Sequence, residues 1–278
     1  MVRFIQLLRH NKSALIGTIL FGAFVIMITI GPIVYTVNPF AVNTINKLAP
    51  PSLNDLFGTD LLGRDLFARS ILGGEITLYI STVSVIFSLA LGVPLGLIAG
   101  YMKGMVDEVI MRIMDILLAF PGLVLALLIV AVLGIGINNA IIAIGFTGIP
   151  IFARIVRGVV LKISEMDYVE AARALGFNRW RIMIRHVLPN VSSVIILQFT
   201  LSLAAAILTE AALSFLGLGA PAPLQSLGGI VEEGFPFLQN GWWYAVLPGI
   251  VITIAVLGPN FLGDGLRDLL DPKLRGSS

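Results

Sequence analysis

Long segments without a single charged residue dominate this chain and restrict what it can fold into. No charge occurs between Lys12 and Lys47, nor between Asp115 and Arg154. A helix needs about 20 apolar residues to cross the hydrocarbon core of a bilayer. Of all residues, 57% are hydrophobic and 12% are charged, whereas a soluble domain carries about 25% charged residues. The chain is therefore a membrane protein whose solvent is mostly lipid.

We predict an all-α fold, a polytopic membrane helical bundle with six transmembrane helices. The predicted spans cover residues 14–37, 76–101, 109–133, 140–160, 191–218 and 242–263. The third and fourth spans follow each other without an intervening charge. We separate them at residues 134–139, where two glycines and two asparagines favour a tight turn.

The distribution of Lys and Arg predicts the orientation. Fifteen of the 18 fall in one set of connections, namely the N-terminus, the second and fourth loops and the C-terminal tail, and only Lys47, Arg64 and Arg69 fall in the other set. Because cytoplasmic loops are enriched in Lys and Arg, both termini are predicted to be cytoplasmic, N-in and C-in. The first apolar run is longer than the roughly 7–15 residues of a signal-peptide core, so it is predicted to be a retained helix.

This orientation gives a predicted division of the chain. Residues 1–13 form an interfacial N-terminal helix, with Arg3 and Arg9 directed toward lipid headgroups. The first span (14–37) and an extracytoplasmic loop (38–75) follow. A core of five spans (76–270) contains a long cytoplasmic loop (161–190) and is followed by a cytoplasmic tail (271–278).

The long cytoplasmic loop carries signals for two short helices separated by a corner. Ser164 is a candidate N-cap for the first helix, with acidic residues in the first turn where the helix dipole favours them. Gly176 is suited to a left-handed stop, Asn178 is suited to capping the second helix, and Pro189 is predicted to end it. A loop with this much local order is suited to being held by another protein.

The pattern Glu170-Ala-Ala-x-x-x-Gly176, followed by His186-Val-Leu-Pro189, resembles the EAA signature of bacterial ABC importer permeases. The resemblance implies that residues 161–190, called the coupling loop below, dock into a groove on a separate ATPase. The residues that it places at this contact, together with two arginines able to pair with acids on the ATPase or with lipid phosphates, are Glu170, Ala171, Ala172, Arg173, Gly176 and Arg181.

Further segments resemble the dipeptide, oligopeptide and nickel branch of these permeases, in its second permease subunit. They are Gly58-Thr-Asp-x-x-Gly-Arg-Asp65, Ser214-Phe-Leu-Gly-Leu-Gly219 and the stretch from Asn260 to Pro272. The resemblance implies four partners besides the lipid: a related second permease, two ATPase subunits and an extracytoplasmic solute-binding protein. It implies a bacterial or archaeal plasma membrane and leaves the solute open among dipeptides, longer peptides and nickel chelates. The residues themselves predict a cap and turn at Thr59 or Asp60.

Gly92, Gly96 and Gly100 recur on one face of the second span. Small residues at this spacing allow close approach of helix backbones, so we predict a packing face, with a moving helix pair during gating as the alternative.

Two acidic residues fall within predicted spans. An ionised carboxylate in lipid costs on the order of 3 kcal/mol or more, so Glu210 and Asp115 are expected to face the bundle interior or water. Both are candidates for the translocation pathway. The simpler interpretation is a helix–helix pair, for Asp115 with Arg112 or an arginine on a neighbouring helix. The alternative function is an ion-coupled secondary transporter that uses these acids.

The sequence lacks the usual signs of an enzyme. There is no cysteine, and His10 and His186 are too far apart for a metal site. No phosphate-binding P-loop pattern is present, so no cofactor is expected in this chain. ATP and Mg²⁺ are expected in the partner ATPase, and no nucleic-acid partner is expected at a net charge of +2.

Overall fold

The computed structural model of the protein describes residues 11–270. These residues contain ten α-helices: α1 (Lys12–Val34), α2 (Leu66–Met102), α3 (Gly104–Leu118), α4 (Gly122–Leu133), α5 (Ile137–Ile163), α6 (Asp167–Ala174), α7 (Arg179–Ile182), α8 (Leu188–Phe215), α9 (Leu227–Gly234) and α10 (Trp243–Leu270). Within this range the only extended pairing is a single bridge between Thr59 and Asp65. The all-α prediction is confirmed for the described residues. The predicted tail and most of the predicted interfacial helix lie outside them.

Five helical segments are long and apolar enough to cross a membrane by themselves: α1, α2, α5, the continuous segment from α7 to α8, and α10. A sixth crossing exists if α3 and α4 together form one bent span. The second spanning helix begins at Leu66 rather than near residue 76, because Asp65 caps it by accepting a hydrogen bond from the Ala68 N–H at 2.7 Å.

The third predicted span, residues 109–133, was expected to be one helix, and this was wrong. It consists of α3 and α4, which meet at an angle of 88°. Pro121 lies at the break and N-caps α4. Proline has no N–H to donate and its ring clashes with the preceding turn, so a helix breaks at this residue. The next break, between α4 and α5, falls at Gly134–Gly136, where both glycines have positive φ angles.

The centre of the bundle is the contact between α2 and α5. A methyl group placed on Gly92 would lie 2.6 Å from the carbonyl oxygen of Ile149, and one on Gly100 would lie 2.9 Å from that of Arg157. On Gly96 a methyl group would collide with the Ala153 carbonyl oxygen. All three glycines thus lie where the two backbones touch, an approach that only small residues allow.

A second close pair joins the beginning and the end of the described chain. A methyl group on Gly17 of α1 would lie 2.8 Å from the Gly258 carbonyl oxygen of α10. Asn11 caps α1 by accepting a hydrogen bond from the Ala14 N–H, and its amide nitrogen donates to Asp268 at 2.8 Å.

The entry into α8 differs from the sequence expectation. Pro189 was predicted to end a helix, but α7 continues into α8 through a π-helical turn at Met183–Val187. Pro189 lies in the first turn of α8. The wider turn accommodates the missing N–H of the proline without ending the helix, so α7, the π-helical turn and α8 form one continuous helical segment.

Candidate functional site

The coupling loop begins where α5 ends. The chain turns at Ser164, and α6 starts at Asp167 with Met166 as its N-cap. Ser164 was expected to cap this helix and does not: its side chain is buried and makes no hydrogen bond in the described structure. Asp167 and Glu170 occupy the first turn of α6, where carboxylates interact favourably with the helix dipole.

One face of α6 is anchored in the protein core. Val169 is fully buried and Ala172 is 4% exposed. They belong to the same apolar cluster as Ile182, Met183 and Val187 of the following helical segment. Ala172 was expected at a partner contact, but because it points inward it holds the loop on the bundle.

The corner between the two short helices depends on one glycine and one asparagine. Gly176 has a φ of +77°, in the left-handed region that side chains with a Cβ disfavour. Asn178 caps the next helix by accepting a hydrogen bond from the Trp180 N–H at 3.1 Å. The prediction that Asn178 would be an N-cap is therefore confirmed.

Arg173 ties the coupling loop to the end of α2. Its guanidinium carbon lies 5.1 Å from the centre of the Tyr101 ring, a cation–π geometry. One of its nitrogens also donates to the Ser164 carbonyl oxygen at 3.2 Å. Arg173 is thus engaged within the subunit, where these two contacts join the loop to α2 and to the end of α5.

The outer face of the coupling loop exposes both charged and apolar groups. Glu170, Ala171, Gly176 and Arg181 all lie on the surface. The Arg181 guanidinium lies 4.7 Å from the centre of the Phe177 ring.

Three large apolar side chains that we had not singled out from the sequence share this surface: Leu175 (74% exposed), Trp180 (52%) and Ile184 (57%). Trp180 and Ile184 are four residues apart, and this spacing on a helix could have revealed them. A surface that combines exposed aromatic and aliphatic groups with arginines is typical of a protein-docking site.

A cluster of buried charges lies between the α1–α2 loop and the helices α2, α9 and α10; we call it the Arg69 network. Arg69 is 6% exposed and donates to Asp60 at 2.5 Å and to Glu233 at 2.8 Å. Tyr244 donates to Glu233 at 2.7 Å. Gln225 donates to the other oxygen of Glu233 at 2.6 Å and accepts a bond from Arg69.

Electrostatics in this network favour the charged carboxylate. Burial alone raises the pKa of Glu233. The Arg69 guanidinium and the hydrogen bonds from Tyr244 and Gln225 outweigh it, so that the pKa of Glu233 lies below its ordinary value.

Thr59 or Asp60 was predicted to cap the helix that follows, and neither residue does. Asp60 accepts hydrogen bonds from the backbone N–H groups of Leu62 and Arg64, while Thr59 bonds the backbone of the same loop. The cap is Asp65.

The two acids predicted for a translocation pathway lie in different surroundings. Glu210 is 1% exposed and accepts a hydrogen bond from Ser214 at 2.7 Å, inside the subunit. The Asp115 side chain is 57% exposed and pairs with Arg154 of α5 at 2.6 Å. The structure therefore does not bring these two acids together. Among the described residues, no group of three His, Cys, Asp or Glu side chains is arranged to hold a metal ion.

A multi-pass helical bundle that carries an ordered loop with exposed apolar groups is an architecture of membrane transport subunits. The chain belongs to the family described as the binding-protein-dependent transport system inner membrane component, which matches residues 92–276. Residues 1–51 match the N-terminal transmembrane domain of oligopeptide transport permease C. The family resemblance inferred from the coupling loop is confirmed.

Individual relatives agree with this membership. The chain is 42% identical to the dipeptide transport system permease protein DppC of Alkalihalophilus pseudofirmus, over 96% of this chain and 88% of the relative. It is 42% identical to the oligopeptide transport system permease protein OppC of Bacillus subtilis, over the same shares of the two chains. Among solved structures, an inward-facing MetNI methionine ABC transporter aligns with a TM-score of 0.58 at 22% identity, over 71% of this chain and 94% of that one. This last likeness concerns the fold.

Proposed function

We propose that this chain is the permease subunit of an ATP-driven importer of dipeptides, oligopeptides or related solutes such as nickel chelates. The observation that carries the proposal is the outer face of the coupling loop. Leu175, Trp180 and Ile184 are exposed there beside arginines, although Val169 and Ala172 hold the loop firmly on the bundle. The peptide assignment is supported by the relatives named as dipeptide and oligopeptide permeases.

In the proposed mechanism the chain itself binds no nucleotide and catalyses no reaction. Two ATPase subunits hold ATP and Mg²⁺ and dock on the coupling loops of this chain and of a related second permease. An extracytoplasmic binding protein delivers the solute. The termini and the coupling loop lie in the bacterial cytoplasm, in accordance with the Lys and Arg distribution. Closure of the ATPases displaces the loops and changes the access of the solute path.

Glycine substitutions test the docking step. Gly176→Asp introduces a side chain and a charge at the corner of the docking surface, and we expect ATPase association to be lost while membrane insertion remains. Gly104→Asp is the matched control, since Gly104 also has a positive φ and open space around it but is the first residue of α3, outside the coupling loop. Co-purification of the ATPase with each variant measures the effect. Unchanged association of Gly176→Asp contradicts the docking assignment.

Transport in vesicles tests the energy source. We expect uptake of a radiolabelled dipeptide by the reconstituted transporter with its binding protein to require ATP on the ATPase side. Uptake that persists without the ATPase and follows a proton gradient would overturn the proposal in favour of an ion-coupled transporter. The structure offers that alternative little support, because Asp115 is paired with Arg154 and Glu210 is enclosed.

A further inference from the structure

A cavity of about 230 Å³ lies between α2, α5, α8 and the break that separates α3 from α4. Its polar lining is made of hydroxyl groups, contributed by Ser84, Ser88, Thr147, Ser202 and Thr209. None of the described residues that line it carries an ionisable side chain. The remaining wall is apolar, with Leu117, Leu123 and Ile144 among its members.

Most of these hydroxyl groups have already committed their protons. Thr209 donates to the Ala205 carbonyl oxygen at 2.8 Å, and Thr147 donates to that of Ile144 at 2.8 Å. Ser84 and Ser88 likewise donate to carbonyl oxygens, at 2.7 Å and 2.6 Å. A hydroxyl group that donates its only proton retains oxygen lone pairs that can accept. Ser84 and Ser88 are fully buried, so among these four side chains it is Thr147 and Thr209, which are half-buried, that offer the cavity neutral hydrogen-bond acceptors.

The helix break lines the same cavity. Phe120 and Gly122, on either side of Pro121, both contribute to the wall. A break within a membrane-spanning segment leaves backbone polar groups unpaired, which is tolerated only inside protein or beside water. Interrupted helices also surround the solute sites of several kinds of membrane transporter. The break and the hydroxyl groups together give this cavity polar groups among its apolar walls.

We propose that the transported solute passes through this cavity and that Thr147 and Thr209 accept hydrogen bonds from its amide N–H groups. Both side chains are half-buried, so their oxygens are accessible from the cavity. A peptide presents such donors along its backbone whatever its side chains are. Neutral acceptors hold it weakly enough for it to leave again, which conduction requires. This inference rests on the proposed import of peptides.

Two variants on opposite faces of α8 test the inference. Thr209→Val keeps the shape of the side chain and removes the acceptor. Thr200→Val is the matched control: Thr200 makes the same kind of bond, to the Ile196 carbonyl oxygen at 3.0 Å. The two threonines are nine residues apart, and at about 100° per residue their side chains lie on opposite faces of the helix. Thr200 does not line the cavity. Thr209→Ser restores an acceptor and controls for folding.

The measurement is ATP-driven uptake by the complete transporter, with its binding protein, in vesicles. Two dipeptides are compared: glycyl-alanine, and glycyl-sarcosine, whose peptide nitrogen carries a methyl group in place of hydrogen. We expect the ratio of the glycyl-alanine rate to the glycyl-sarcosine rate to fall on the order of fivefold in Thr209→Val, the effect of one neutral hydrogen bond. The ratio should be unchanged in Thr200→Val and restored in Thr209→Ser.

An identical ratio in wild type and Thr209→Val would overturn the inference and leave the proposed function intact. If Thr209→Val does not fold, Thr209→Ala, which also removes the acceptor, answers the same question with the same expected fall in the ratio. A wild-type transporter that hydrolyses ATP yet imports neither these dipeptides nor a longer peptide would overturn the peptide assignment and the inference together.

Discussion

The coupling loop and the α1–α2 loop are both ordered, but different interactions hold them. The α1–α2 loop is fixed by the Arg69 network, in which Asp60 is fully buried and Glu233 receives hydrogen bonds from four side chains, those of Arg64, Arg69, Gln225 and Tyr244. The coupling loop is fixed by apolar anchors and by Arg173, and it leaves large apolar side chains on its surface. The polar groups of the α1–α2 loop hydrogen-bond one another and stabilise its structure. The coupling loop leaves apolar side chains exposed, which favours contact with a partner.

The largest effect that this comparison predicts comes from Arg69→Met. The change removes the buried cation that bridges Asp60 and Glu233 and leaves only the partly exposed Arg64 beside them, which costs about 3 kcal/mol, the lower end of the range for breaking a buried pair. Thermal unfolding of the purified subunit in detergent measures the loss. The control is Arg154→Met, which breaks an exposed pair with Asp115 and is expected to cost less than about 1 kcal/mol. Equal losses in the two variants would show that the network has no special role.

Ala172→Asp is expected to have the next largest effect. Ala172 is buried against the core, so an aspartate there loses hydration without gaining a partner, at a cost of about 2–3 kcal/mol. Hydrogen exchange of α6 should increase. Ala171→Asp, one residue away on the exposed face, should leave exchange unchanged and instead weaken ATPase association. If both variants behave alike, the division of α6 into an inner and an outer face is wrong.

Gly176→Ala is expected to have a smaller effect, confined to the corner of the coupling loop. There is open space around Gly176, so the change causes no collision. Its cost arises from the left-handed φ and amounts to about 1–2 kcal/mol. Gly176→Asn should cost less, because asparagine tolerates this conformation better. Protease resistance of the loop distinguishes the two variants, and a larger loss with asparagine would contradict the conformational explanation.

The smallest expected effect is a pH dependence of the Arg69 network. The pKa of Glu233 is lowered on folding from its ordinary value of 4.5, so folding is favoured by the charged form. This contribution is fully present above pH 4.5 and is lost as the pH falls through the lower, folded-state pKa. Hydrogen exchange at the α1–α2 loop, followed from pH 7 to pH 3, should increase below pH 4.5 more in wild type than in Glu233→Gln. Parallel curves for the two proteins would exclude Glu233 as the source.

The sequence predicted those features that depend on composition and short-range order. Apolar runs predicted the positions of the helices, because a helix that crosses lipid needs an apolar surface. The tolerance of glycine for a positive φ predicted the corner at Gly176. The break between α3 and α4 was missed, although Pro121 followed by Gly122 signalled it, because average hydropathy does not register a change of direction. The inward face of α6 was missed too, although the three-residue spacing of Val169 and Ala172 places them on one side of a helix.

The Arg69 network could not have been predicted in this way. Arg69 and Glu233 lie in distant parts of the chain, and their meeting depends on how α2, α9 and α10 pack in three dimensions. No local pattern marks Glu233 as the partner. The acceptor character of the cavity is likewise invisible in the sequence, because Thr200 and Thr209 differ only in the side of α8 on which they lie.

The contact between α2 and α5 has a mechanical consequence. Because the backbones touch at Gly92, Gly96 and Gly100, the two helices have little freedom to slide past each other and form a rigid pair. The coupling loop leaves directly from the end of α5, and Arg173 clamps it to Tyr101 on α2. A displacement of the coupling loop is therefore transmitted to α2 and α5 together.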